Sequence, residues 1–268
     1  MIVSSDAGRF VAWGNAYLTG TVSLDEAAFA ITGEVDIHRV QAWDDTADVF
    51  AVTNALGLIR GSGITGLRLV LPVPGDVVGV PGPASAAALA TQAGEAVVTV
   101  AESNLPAHML IPTRTTESPS QRSTTLWTPT KVDITRAPFG LPTLSEAERQ
   151  LTQAMADSTQ ALTTLDTARG RSELAGEIAA LTRSTEHINL PPGLPARAQR
   201  MIASGHRLRG IVDLARRTDG AGASASSANL RRDALTPLDQ AARYALCAAY
   251  SAQVELVELD KLRRGFSR

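Results

Sequence analysis

Apolar residues follow two rhythms along this chain: short runs between turn residues up to about residue 140, then stripes at three- and four-residue spacing. In the first part, Leu67, Leu69, Val70 and Leu71, interrupted only by Arg68 and bounded by Gly66 and Pro72, predict a strand buried on both faces. We expect it at the centre of a sheet. RFVAWGNAYL, residues 9–18, reads as a first strand. Ser23 is placed to cap a short helix with Asp25 and Glu26 in its first turn, stopping at Gly33. Val35 and Ile37 then alternate with Glu34, Asp36 and His38, as in a strand with one wet face. Asp44 or Asp45 starts a second helix that runs to about Arg60 and is closed by Gly61. An Ala-rich helix over 84–93, a strand over 96–101 and further strands near 107–112 and 124–132 follow, with the polar loop TRTTESPSQRS between the last two. Alternation over 9–101 predicts parallel pairs, and the late strands predict an antiparallel edge.

From Pro142 the pattern turns helical. Thr143 with Glu146, or Ser145 with Glu148, makes a capping box ahead of an apolar stripe of Leu151, Met155, Leu162 and Leu165. A second helix spans Ser172 to about Arg183 with Leu174, Ile178 and Leu181 inward. After INLPPGLP, Pro195 suits the first position of a third helix carrying Met201, Leu208, Val212 and Ala215. TDGAGASASSA reads as a flexible connector. Thr236, Pro237 and Asp239 then open the longest helix, which can run to Arg264, roughly 40 Å at helical rise. Its Ala-rich middle would let a neighbouring helix approach closely.

The expected fold is therefore α+β or α/β: a mixed β-sheet domain with helices over residues 1–140, then an all-α helical bundle over 141–268 with a long last helix. Composition agrees, with 44% hydrophobic and only 4% aromatic residues, so the core must come from aliphatic side chains. A formal charge of −2 gives no overall field toward nucleic acid or an anionic membrane, and no apolar run reaches membrane-spanning length. The single cysteine, Cys247, excludes an internal disulfide and a Cys-cluster metal site. With no leader pattern at the N-terminus, a cytoplasmic protein is expected.

Candidate chemistry is sparse. GSGITG, residues 61–66, has the letters of a dinucleotide fingerprint but lies after a helix and before a strand, the reverse of the order that puts a helix N-terminus on the pyrophosphate. No HExxH, GxSxG or phosphate-loop pattern occurs, and the spacing calls for no cofactor and no metal. Glu34, Asp36 and His38 share one strand face, which an ordinary half-exposed strand also explains, as helix capping explains Asp44, Asp45 and Asp48. The loop after the expected central strand, with Pro72, Pro74, Gly75, Asp76, Gly79 and Pro81, is the candidate ligand or partner surface, since stiff loops bind at lower ordering cost. Arg197, Arg200, Arg207 and Arg209 in the third bundle helix are the candidate nucleic-acid contacts, although they flank the apolar stripe without forming a ridge.

RFVAWGNAYL, GLRLVLPVPGDVVGVPGP (66–83), AGEAVV (93–98), LPTLSEAE (141–148) and LPPGLPARA (190–198) together resemble a family of uncharacterised proteins from high-GC Gram-positive, actinobacterial bacteria. The resemblance implies no activity, cofactor or site residue. It does fit a basic complement in which Lys occurs only at Lys131 and Lys261. The expected function is non-enzymatic: a protein-interaction or regulatory protein whose partner, unidentified, includes a second copy of the chain among the candidates. Two alternatives stand beside it, a small-molecule-binding protein or enzyme using the 72–83 loop, and nucleic-acid binding through the 195–217 helix.

Overall fold

The structure is a computed structural model and describes residues 5–34, 36–43, 48–101, 106–116, 123–134, 140–164, 171–185, 188–218 and 225–255. A mixed sheet with helices on it forms the N-terminal region, and the C-terminal region is helical. The described residues fall into two compact units. One holds those of Ser5–Leu141, Leu190–Pro195 and Tyr250–Arg268; the other holds those of Pro142–Asn189 and Ala196–Ala249.

The sheet unit opens with α1 (Asp6–Leu18), where a strand was expected over 9–18. Ala7, Phe10, Val11, Ala12, Trp13 and Ala16 are all buried, so the helix is covered nearly all round and loses the one-sided stripe that marks a helix in sequence. Ser5 caps it, its hydroxyl accepting from the Gly8 N–H. α2 (Leu24–Thr32) follows with its Ser23 cap as expected, then β1 (Ile37–Gln41). Residues Val49–Ala51 form β2, paired with β1, so α3 (Val52–Gly61) begins later than its expected start; Asp44 and Asp45 lie outside the described residues. β3 (Ile64–Val70), α4 (Ala84–Ala93), β4 (Ala96–Ala101), β5 (Ala107–Thr116) and β6 (Ser123–Val132) complete the unit.

The strand order is β2-β1-β6-β5-β4-β3. Only β1 and β6 pair in parallel; the other neighbours are antiparallel. Both the expected parallel core and the placement of the late strands at an edge are thereby corrected, because β5 and β6 occupy the middle. β3 is likewise an edge strand and not a central one. Its burial comes from what covers it. Leu67 would meet a Cβ at Gly14 of α1 at 2.5 Å, and the Asn15 side chain pairs with both backbone groups of Leu67, donating to the carbonyl at 2.9 Å and accepting from the N–H at 2.7 Å. The Leu69 N–H donates to the Ser251 hydroxyl at 3.0 Å, Tyr250 packs on Gly8, and Val254 packs on Gly66. The outer edge is thus closed by side chains and by the segment after Ala249. On the α4 side a second apolar cluster gathers Val70, Val80, Ala86, Ala90, Val98, Met109 and Ile111.

The helical unit contains α5 (Leu144–Thr164), α6 (Arg171–Thr185), α7 (Ala196–Thr218) and α8 (Ala225–Tyr250). Thr143 and Glu146 form the expected capping box: the Glu146 N–H donates to the Thr143 hydroxyl and the Thr143 N–H to the Glu146 carboxylate. The buried stripe of α5 is Ala147, Leu151, Ala154 and Ser158, while Met155, expected inward, is 44% exposed. Leu162 carries no described side chain, nor do Leu174 and Ile178, and Leu165 lies outside the described residues. α8 starts eleven residues before Thr236, at Ala225, and holds Pro237 inside it, where proline was expected at the first turn. It ends at Tyr250; residues 256–268, on which the expected extension to Arg264 rests, lie outside the described residues. The small residues of α8 do admit close approach: a Cβ at Gly205 of α7 would lie 2.8 Å from Leu246 and 3.3 Å from the Ala242 carbonyl.

Candidate functional site

A polar network lies beneath the N-terminus of α1. Asp6, 2% exposed in the first helical turn, accepts from Arg9 at 2.7 Å, from Arg114 of β5 and from the Thr125 hydroxyl of β6 at 3.5 Å. Glu95 approaches the same helix end, accepting from the Ser5 hydroxyl at 2.6 Å and the Ala7 N–H at 3.3 Å. Two carboxylates therefore meet the positive end of the helix dipole. Burial raises the Glu95 pKa, and the hydrogen bond from Ser5 opposes that rise.

His38 of β1 sits beside this network, 3% exposed. The Trp127 indole N–H lies 3.2 Å from His38 Nδ1. An indole can only donate, so Nδ1 is the bare nitrogen and the neutral ring carries its proton on Nε2. Burial lowers the His38 pKa, Asp6 opposes that, and Arg9 adds to it. Among the described residues, His38 Nε2 is buried without a hydrogen-bond partner, and so is Arg9 Nε. A buried donor left unsatisfied costs roughly 1–3 kcal/mol, which gives these two atoms a reason to meet an acceptor.

His38 also lines an open cavity of about 380 Å³ walled by α2, β1 and the β2–α3 junction. Asp25, Phe29 and Thr32 contribute from α2, Asp36 and Arg39 flank His38, and Ala51, Val52 and Thr53 close the far side. Gly33 forms part of the wall, and a Cβ there would stand 3.2 Å from Arg9 Nη1, so the Arg9 guanidinium packs against the glycine where a side chain is missing. The Asp36 carboxylate accepts from the Ser123 hydroxyl. The cavity thus sets His38 and Arg39 beside the carboxylates of Asp25 and Asp36, with apolar walls from Phe29 and Val52.

Of the residues named from sequence, Asp36 and His38 belong to this site; Glu34 is exposed ahead of β1, and Val35 lies outside the described residues. No group of three or more His, Cys, Asp or Glu side chains suited to a metal ion occurs among the described residues. GSGITG is a helix–turn–strand junction, α3 ending at Gly61 and β3 beginning at Ile64. The 72–83 loop is a folded connector. Val73 and Asp76 exchange backbone hydrogen bonds around Pro74 and Gly75, whose φ of 85° suits the third position of a type II turn. Asp76 Oδ1 accepts from the Val78 N–H at 3.4 Å, Pro72 and Pro81 are buried, and Gly79, at φ 82°, lies beneath Leu141. Pro74, Gly75, Val77 and Pro83 are its exposed part.

The candidate nucleic-acid arginines are dispersed over α7. Arg197 pairs with Glu148 and donates to the Ser145 hydroxyl at 3.0 Å, Arg209 lies 3.9 Å from Asp239, Arg200 is exposed, and Arg207 is half-buried with its Nε unpartnered among the described residues. Asp239 also meets Arg243 at 3.3 Å and Arg216 at 3.9 Å, tying α7 to α8. His206 is buried on α7; burial, followed by the neighbouring Arg209 charge, lowers its pKa to about 4. His108 stands edge-on to Trp43 at 5.1 Å, while the remaining histidine, His187, lies outside the described residues.

Sequence reading missed Asp6, Arg9, Glu95, Arg114, Thr125 and Trp127. The signal for the first two was present: Ser5 as a cap with Asp6 and Arg9 three apart is a helix start. The others converge from strands, and Glu95 from the α4–β4 turn, more than eighty residues away, which no local pattern records.

Residues 7–142 match the N-terminal domain model, and residues 145–247 the C-terminal domain model, of the Rv1486c-like protein. The chain belongs to the Rv1486c-like protein family. Membership agrees with the resemblance drawn from the 9–18, 66–83 and 190–198 stretches, and the family descriptions carry no activity or site residue to this chain. The N-terminal model ends and the C-terminal model begins around the capping box of α5, where the Rv1486c-like chain passes from sheet to helices. No curated protein and no solved structure matches the chain. No helix among the described residues is long and apolar enough to cross a membrane.

Proposed function

We propose that the chain is a non-enzymatic, cytoplasmic binding protein of regulatory type, and that its recognition site is the cavity between α2, β1 and the β2–α3 junction. The carrying observation is the His38 imidazole: buried, held as one tautomer by Trp127 and left with an unsatisfied Nε2–H beside an open cavity. Such a group discriminates ligands by whether they offer an acceptor. Cys247, buried and the one cysteine of the sequence, supports a reducing compartment. The test is NMR of histidine-labelled protein during titration with a fragment library, His38 being assigned by its loss in His38→Phe. Fragments that move the His38 Nε2 resonance support the reading; a resonance unmoved by the whole library sinks it.

A protein partner, a second copy of the chain among the candidates, is the second reading. Phe29 on the cavity rim is 64% exposed, and Val49, 49% exposed, lies on β2, which ends the sheet. Size-exclusion chromatography with light scattering tests the second copy. A mass that rises with concentration and is returned to that of the monomer by Val49→Lys supports it, and a monomer at every concentration removes it.

A further inference from the structure

In the helical unit, one carboxylate between α7 and α8 serves three guanidinium groups. Asp239 Oδ2 accepts from Arg243 Nε at 3.3 Å, while Arg209 Nε and Arg216 Nη2 each stand 3.9 Å from one of its oxygens, beyond hydrogen-bonding distance. Among the described residues, neither Arg209 nor Arg216 makes a hydrogen bond or a second ion pair. Both side chains are accessible, 32% exposed for Arg209 and 38% for Arg216, whereas Asp239 and Arg243 are buried. Of the three Arg209 nitrogens only Nε is buried without an acceptor, so Nη1 and Nη2 are the donors open to solvent. Unused donors of this kind call for an acceptor.

Arg209 and Arg216 share a face of α7 because seven residues make two helical turns. Asp213 lies between them on that face, exposed and outside ion-pairing distance of both, and its backbone carbonyl accepts from Arg217 Nε at 3.3 Å. His206, one turn before Arg209, is kept neutral by burial and then by the Arg209 charge. Arg209, Arg216, Arg217 and Arg243 therefore stand against Asp213 and Asp239, a surplus of two positive charges. Partial burial strengthens the repulsion within that surplus.

We propose that Arg209 and Arg216 bind the phosphate group of a small phosphate monoester, at a site separate from the cavity beside His38. Each guanidinium offers a planar fork of donors to a pair of oxygens; a tetrahedral phosphate has several such pairs and a carboxylate has one. A dianion also matches the surplus charge. A nucleic-acid backbone needs cations in a row, but Arg197, Arg200 and Arg207 lie on other faces of α7 and Arg197 is paired with Glu148.

The full chain is titrated by calorimetry at low ionic strength with inorganic phosphate, phenyl phosphate, benzoate and a short single-stranded DNA. The expected result is that phenyl phosphate binds about ten times or more as tightly as benzoate. Arg209→Gln and Arg216→Gln are each expected to weaken phenyl phosphate about tenfold, and Arg200→Gln to leave it unchanged. Circular dichroism checks that the variants are folded; where a glutamine variant is not, the lysine variant, which keeps the charge and loses the fork, takes its place with the same direction of effect. If neither phosphate binds, or if phenyl phosphate binds Arg209→Gln and Arg216→Gln as it binds the unaltered chain, the site is overturned. DNA bound more tightly than phenyl phosphate and lost in the same two variants overturns the small-ligand assignment in favour of a nucleic-acid backbone. The His38 resonance plays no part in these outcomes, so the cavity reading stands or falls separately.

Discussion

Asn15 does for β3 what a further strand would do, supplying a donor and an acceptor to the outward-facing backbone of Leu67. It is 1% exposed, so Asn15→Ala leaves two buried main-chain groups unsatisfied and should destabilise the protein by roughly 2–4 kcal/mol. Urea unfolding measures this, and a loss near zero would mean that water reaches the edge. His206 makes a prediction about pH. Its pKa in the folded chain, about 4, lies below the ordinary 6.5, so an unfolded chain takes up a proton that the folded one refuses. Stability contributed by His206 is complete above pH 6.5, falls by about 3 kcal/mol between pH 6.5 and 4, and levels below that. In His206→Leu the slope of stability against pH over that window should flatten. Neither residue was singled out for these roles by sequence, because a polar residue among apolar ones does not reveal which distant partner satisfies it or whether it is buried at all.

Among the elements, those bounded by their own caps were legible. α2 with Ser23, α4 ending at Gly94, and α5 with Thr143 and Glu146 lie where local chemistry puts them. α1 was not legible, since a helix buried on every side shows no stripe, and α8 runs through Pro237 in spite of its cost. The 72–83 connector separates two effects of backbone geometry. At Gly75, φ 85° with open space where a Cβ would stand, Gly75→Ala should cost about 1 kcal/mol through conformation alone. At Gly79, φ 82° with Leu141 2.5 Å from where a Cβ would stand, Gly79→Ala should cost at least twice as much. Thermal unfolding of the pair checks the order, and equal losses would show that Leu141 moves aside freely.

For the whole molecule, the open side of the sheet unit at β3 is closed by residues from near the other end of the described chain. Tyr250, Ser251 and Val254 cover Gly8, Leu69 and Gly66. Truncation after Ala249 should therefore lower the unfolding temperature and promote association through the uncovered edge of β3. Calorimetry and light scattering test this together; a truncated chain as stable and monodisperse as the full one would show that the edge needs no cover.

By itself, the sequence determined the change from sheet to helices near residue 140, the caps of the short helices, the turn at 61–66 and the folded character of the 72–83 connector. These depend on side-chain period and on the backbone preferences of Pro, Gly, Ser and Thr, which act within a few residues. Only the tertiary structure decided that β3 lies at an edge, that β5 and β6 lie in the middle, that Arg9 and Arg114 meet at Asp6, and that Trp127 meets His38. Strand order and buried polar contacts depend on which distant surfaces cover each other, and a run such as Leu67–Leu71 looks the same whether a strand or a helix and a returning tail excludes the water.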